Sequence, residues 1–153
     1  MLFFSEIKNE PHLQKRIALF IIGIGVLVLV FLFQKFSYYH FFAGIVGYSG
    51  HVHEYTVFII NKTTRLLIND TTCLVLIYAL FYNTKYIRLG AFVQLIEMFL
   101  ILPAYFIVKL NLEGDSEISS PLLSQFHRLI VNPTLMILLI IGFFYQNKNS
   151  PVS

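Results

Sequence analysis

Residues 17–33 read IALFIIGIGVLVLVFLF, a run without a charge or a strongly hydrogen-bonding side chain. A helix that is apolar all round is stable only inside a large core or in lipid. Composition removes the first choice. The 153 residues are 57% apolar and 12% charged, against ~45–50% and ~25% in soluble domains. A chain of this length has one domain's worth of residues and too few charges to make a polar shell. A soluble globular protein, a disordered tail and a nucleic-acid-binding module are therefore excluded. The net charge of +3 is too small to point to a polyanion. The high Phe and Tyr content, without Trp, suits lipid contact with Tyr at the interfaces. Cys73, the single cysteine, excludes an internal disulfide.

A helix needs about 20 mostly apolar residues to cross the ~30 Å hydrocarbon core. Four stretches meet this approximately: 17–34, 65–82, 89–108 and 129–145. The first has basic residues before it, like a signal peptide, but no small-residue cleavage site follows, so it reads as a retained span. The expected architecture is an all-α, single-domain polytopic bundle of about four transmembrane helices. The 34–64 connection holds an aromatic piece at 36–46, too short to span, which reads as an interfacial or re-entrant segment. After it, HVHEYTVFII reads as a short strand or a second surface segment. The 109–127 connection reads as an exposed acidic loop, and the tail from Gln146 as disordered. Pro133 is placed in the first turn of the fourth span, where its missing N–H costs little.

Lys and Arg in short loops set orientation. With four spans, one side carries Lys8, Lys15, Arg16, Lys85, Arg88 and Lys148 against Glu6 and Glu10. The other carries Lys35, Lys62, Arg65, Lys109 and Arg128 against four acids, Glu54, Glu113, Asp115 and Glu117. The excess places both termini in the cytoplasm.

An ionisable group at membrane depth costs at least ~2.5–3.5 kcal/mol for an Asp, so it is a functional candidate by default. Glu97 lies nine residues beyond Arg88, roughly 13 Å deep at ~1.5 Å per residue. It reads as a proton or cation site, a polar anchor for a partner helix, or a protonated acid hydrogen-bonded inside the bundle. A second set stands at the outer starts of spans two and four. Arg65 and Asn69 are four residues apart and share a helix face, as do Arg128 and Asn132. With Asp70 and His127 they make an outer-face polar cluster. If Asp70 lies between Arg65 and Arg128, the cluster is a pocket for a carboxylate, a phosphate head group or a partner's anionic residue. Its structural alternative is a pair of arginines snorkelling to lipid phosphates with Asp70 as counter-ion. His51 and His53 could point to one side of a strand and, with Glu54 nearby, bind a metal, but without a scaffold they set no metal expectation. The sequons at Asn61 and Asn69 matter only in a eukaryotic secretory setting. No cofactor motif is present: there is no phosphate loop, HExxH or GxSxG.

The C-terminal stretch FHRLIVNPTLMILLIIGFFYQNK has an aromatic–basic start, Pro133, an aliphatic run and a closing Tyr–Gln–Lys. Together with RLLIN at 65–69 and the aromatic stretch FLFQKFSYYHFF, it resembles the exosortase F system-associated membrane proteins, over about residues 30–153. The resemblance implies a four-span, non-enzymatic accessory subunit of the bacterial inner membrane, with membrane lipids and an exosortase or another membrane protein as partners. Exosortases use a Cys, an Arg and a His, so one alternative is a small transpeptidase built on Cys73, Arg128 and His127. Against it, Cys73 is eight residues into the second span while His127 is expected at the surface. A proton transfer needs ~2.6–3.2 Å. The other alternative is a transporter or channel subunit using Glu97.

Overall fold

A computed structural model describes residues 12–47, 50–114 and 120–149, all of it helices and short connections. The helices are α1 (Leu13–Leu32), α2 (Tyr38–Val46), α3 (Glu54–Phe81), α4 (Thr84–Ile96), a π-helical turn (Glu97–Ile101), α5 (Leu102–Leu112), α6 (Pro121–Val131) and α7 (Thr134–Asn149). By length and composition α1, α3 and the continuous Thr84–Leu112 helix can each cross a membrane. A fourth crossing is available if α6 and α7, bent by 59° at their junction, count as one broken span.

The ends are set by local chemistry. Ser37 accepts from the His40 N–H at the start of α2, and Gly47, at φ +71°, closes it in the left-handed conformation that glycine adopts freely. Asn83 accepts from the Lys85 N–H, 2.9 Å away, at the start of α4. Only Tyr82 and Asn83 separate α3 from α4, so the two helices fold back as an antiparallel hairpin.

Four expectations are corrected. HVHEYTVFII is not a strand: α3 begins at Glu54, eleven residues before the expected start of the second span at Arg65. Its β-branched residues are carried into a helix by packing, with Phe58 and Ile59 against the buried Leu66, Phe106 and Ile130. At ~1.5 Å per residue, α3 is roughly 42 Å long, more than the ~30 Å hydrocarbon core. The fourth span is not continuous from 129 to 145. Pro133 disfavours helical backbone in the residue before it, and Asn132 accordingly sits at φ −93°, ψ 152°. The 109–127 connection is largely helical at both ends, through Leu112 and from Pro121; residues 115–119 lie outside the described residues. The tail is helical through Asn149, with 150–153 outside the described residues. The aromatic piece forms the nine-residue α2, too short to span, docked on α3.

The π-turn has an identifiable cause. Pro103 supplies no N–H to the turn before it, and the chain widens ahead of it so that the Leu102 N–H reaches the Glu97 carbonyl.

α3 is the central helix and packs against every other helix of the bundle. Its contact with α1 is close at Gly23, where an added Cβ would lie 2.7 Å from Leu76 Cδ2. Arg16 of α1 caps the C-terminus of α3, donating from Nε to the Ala79 carbonyl (3.0 Å) and from Nη2 to the Leu80 carbonyl (2.9 Å). These are carbonyls that a helix end leaves open, at the negative end of its dipole. Two apolar clusters follow. One joins Leu66, Leu102, Tyr105, Phe106, Leu123 and Ile130; the other joins Cys73, Ile77, Met136 and Phe143.

Candidate functional site

The α3–α4 hairpin decides the site. Asp70 stands thirteen residues before Asn83 and Glu97 fourteen after it, so the two antiparallel helices bring them to the same depth. Each is roughly 20 Å from the turn at ~1.5 Å per residue. Their carboxyls are in hydrogen-bonding reach of each other. Asp70 is 0% exposed and Glu97 1%. No N–H or O–H of the described residues donates to any of the four carboxyl oxygens. Cys73, one helical turn along α3 from Asp70, lies within electrostatic reach of both.

This corrects the expected placement of Asp70. On the sequence alone it stands at the outer start of a span, where it could lie between Arg65 and Arg128; the longer α3 puts it in the middle of a helix, where its neighbour is Glu97. The arginine–Asp70 pocket is not formed. Arg65 donates from Nη2 to Asn132 Oδ1 at 3.1 Å, and Arg128 is exposed. Asn69 Nδ2 donates to the Val131 carbonyl at 3.1 Å. That carbonyl is one that the break before Pro133 deprives of a helical donor. The R-x-x-x-N spacing therefore gives a shared face only on α3; Asn132 lies past the end of α6, turned away from the helical register that would align it with Arg128.

His127 is half-buried rather than superficial. Its Nδ1 is 2.6 Å from the Tyr105 hydroxyl, which ties α6 to α5. Lys62, Arg65, Lys109 and Arg128 all lie within electrostatic reach of that imidazole. Lys109 is fully buried: Nζ donates to the Gly114 carbonyl at 3.1 Å and pairs with Glu113 at 3.4 Å, and Glu113 also accepts from the Ser120 N–H at 2.9 Å. His53 is a helix cap, its Nδ1 accepting from the Tyr55 N–H at 3.3 Å. The strand face that His51 and His53 would share is not formed, because His53 caps α3 and Glu54 begins it. Among the described residues no three His, Cys, Asp or Glu side chains are grouped to hold a metal.

Cys73 is 0% exposed, among Ile77, Met136 and Phe143. Tyr105, the partner of His127, belongs to the other apolar cluster. The thiol thus has acids beside it rather than the imidazole and cation that activate a nucleophilic cysteine.

Sequence reasoning missed three structural roles. Asn61 accepts from the Tyr39 N–H at 2.8 Å and donates to Ser37 Oγ at 3.3 Å, fixing the start of α2 on α3. Lys109 and Tyr105 were placed only as loop and span residues. The Asp70–Glu97 meeting had a usable signal: the NTK start of α4 marks the hairpin turn, and counting outward from Asn83 pairs the two acids.

No family model, no curated protein and no solved structure matches the chain.

Proposed function

We propose that the chain is a non-enzymatic, multi-pass subunit of the bacterial inner membrane that acts by association with an exosortase-type sorting enzyme or its substrates, with both termini in the cytoplasm. The observation that carries the association reading is the separation of Cys73 from His127. The residues a Cys–Arg–His transpeptidase would need are spread over two clusters, and the outer polar groups are engaged in helix-to-helix bonds. The sorting system itself rests on the sequence resemblance. Membrane lipids face the exposed apolar side of α1, with Ile21, Ile22, Phe31 and Leu32 open.

The test is affinity purification from detergent, with mass spectrometry of what accompanies the chain. A sorting enzyme co-purifying equally with the parent and with Cys73→Ala supports the reading. Loss of sorting in Cys73→Ala at normal abundance overturns it in favour of the transpeptidase. Alkaline phosphatase fused after Ser153 is expected to be inactive and fused within 114–120 active; the reverse overturns the orientation.

A second reading, a transporter or channel subunit, is favoured by one observation, the burial of Asp70 against Glu97 at mid-helix. Ion or proton flux in proteoliposomes, abolished by Glu97→Gln, would replace the association reading.

A further inference from the structure

We propose that Asp70 and Glu97 form an intramembrane proton site, with at least one acidic hydrogen held between a carboxyl of α3 and a carboxyl of the π-turn. The argument begins with donors. A carboxylate has only acceptors, so two carboxyls in reach of each other form a hydrogen bond only when one carries a proton. It continues with burial. Both side chains are more than nine-tenths buried, they come from different elements, and their unpartnered carboxyl oxygens lie within reach of each other. Two unprotonated carboxylates here would be two like charges in a dry interior, without a donor. A shared proton removes one charge and supplies the missing donor; two protons remove both.

The surroundings offer no other compensation. On α3, Arg65 donates from Nη2 to Asn132, its buried Nε donates to neither acid, and Cys73 lies in an apolar cluster. From α4, Gln94 donates to Thr71 on the exposed side of α3. From α7, Met136 and Phe143 are the buried members of the Cys73 cluster, both apolar, and from α1 Gly23 packs on Leu76. No Lys, Arg or His among the described residues donates to either acid. The proton site stands whether the chain works by association or by transport, because it concerns the state of the pair rather than any flux.

The test uses the full chain in native membranes or proteoliposomes with N,N′-dicyclohexylcarbodiimide. This lipid-soluble reagent takes up a protonated carboxyl: the O–H adds across one C=N bond, and the acyl group then moves from oxygen to nitrogen to leave a stable acylurea. Peptide mass spectrometry is expected to place the label on Asp70 or Glu97 at neutral pH, with the label lost as pH is raised and unaffected by sodium chloride. Absence of label from both acids, or protection by sodium at fixed pH, overturns the proposal; sodium protection would mark an ionised pair holding a cation.

Infrared spectroscopy supplies a second measurement. The parent is expected to show a protonated-carboxyl C=O band that the double variant Asp70→Asn, Glu97→Gln loses. A parent without the band, or a folded double variant that keeps it, overturns the proposal. Should the double variant fail to accumulate, the parent's labelling and parent band still decide.

Discussion

Arg65 and Asn132 meet across 3.1 Å, guanidinium to side-chain carbonyl, and so join the central helix to the break between α6 and α7. Asn132 can accept there because the following proline holds its backbone extended. Neighbouring Asn69 takes the Val131 carbonyl freed by the same break. The bend of 59° between α6 and α7 is thus tied to α3 by two side chains one helical turn apart.

Arg65 and Arg128 should consequently behave differently. A hydrogen bond to a charged group contributes ~1.5–3 kcal/mol. Arg65→Ala removes the donor to Asn132, and thermal unfolding in detergent should show it destabilised by ~1.5–3 kcal/mol. Arg128 is exposed, so Arg128→Ala should unfold like the parent. Equal behaviour of the two variants would contradict the assignment.

Close helix approach makes a second prediction. A Cβ on Gly90 would lie 2.7 Å from Leu74 Cδ2 and 3.1 Å from Ile77 Cδ1, whereas nothing comes within 4 Å of one on Gly25. Gly90→Val should cost ~1–3 kcal/mol through overpacking of the α3–α4 hairpin. Gly25→Val should cost little. Melting temperatures of the two purified variants, followed by circular dichroism, make the comparison.

Arg16 gives a third. Its guanidinium serves two carbonyls at the end of α3, and Arg16→Ala leaves both without it. The expected loss is ~1.5–3 kcal/mol, read as a lower unfolding midpoint. Hydrogen exchange should rise first at the last turn of α3, near Ala79 and Leu80. Uniform protection of that turn in the variant would refute the cap.

Cys73 provides the fourth. A thiol at 0% exposure in an apolar cluster should resist maleimide in the folded protein and react once the chain is unfolded in dodecyl sulfate. Rapid labelling in intact spheroplasts by a membrane-impermeant maleimide would mean a water path to the site. The packing around Ile77 and Met136 would then have to be redrawn.

What could be read directly from the sequence was whatever depends on local composition. The charge-free run at 17–33 needs an apolar surrounding whatever its neighbours are, and it forms α1. Helicity and the approximate places of the crossings follow from the same rule, since backbone polar groups in lipid must be satisfied within the segment. Asn83 carries its turn chemistry in its own side chain, whereas Pro133, read as part of a first helical turn, breaks the helix at Asn132. The sequence also marked Glu97 as an acid at depth, because depth is a count along one helix.

Tertiary structure decided who meets whom. Polar residues such as Asn61, Lys62 and Thr63 look like the end of a loop when only hydropathy is counted. They lie inside α3 because Phe58 and Ile59 have a core to enter. Once α3 starts at Glu54, Asp70 leaves the outer surface for the bundle interior, and the hairpin sets it against Glu97. Asn132 is drawn to Arg65, and His127 to Tyr105, by the same means: hydrogen-bonding groups buried by packing bind the nearest partner that packing offers. A sequence fixes which groups need a partner; the distance at which one is found depends on how separate helices cross.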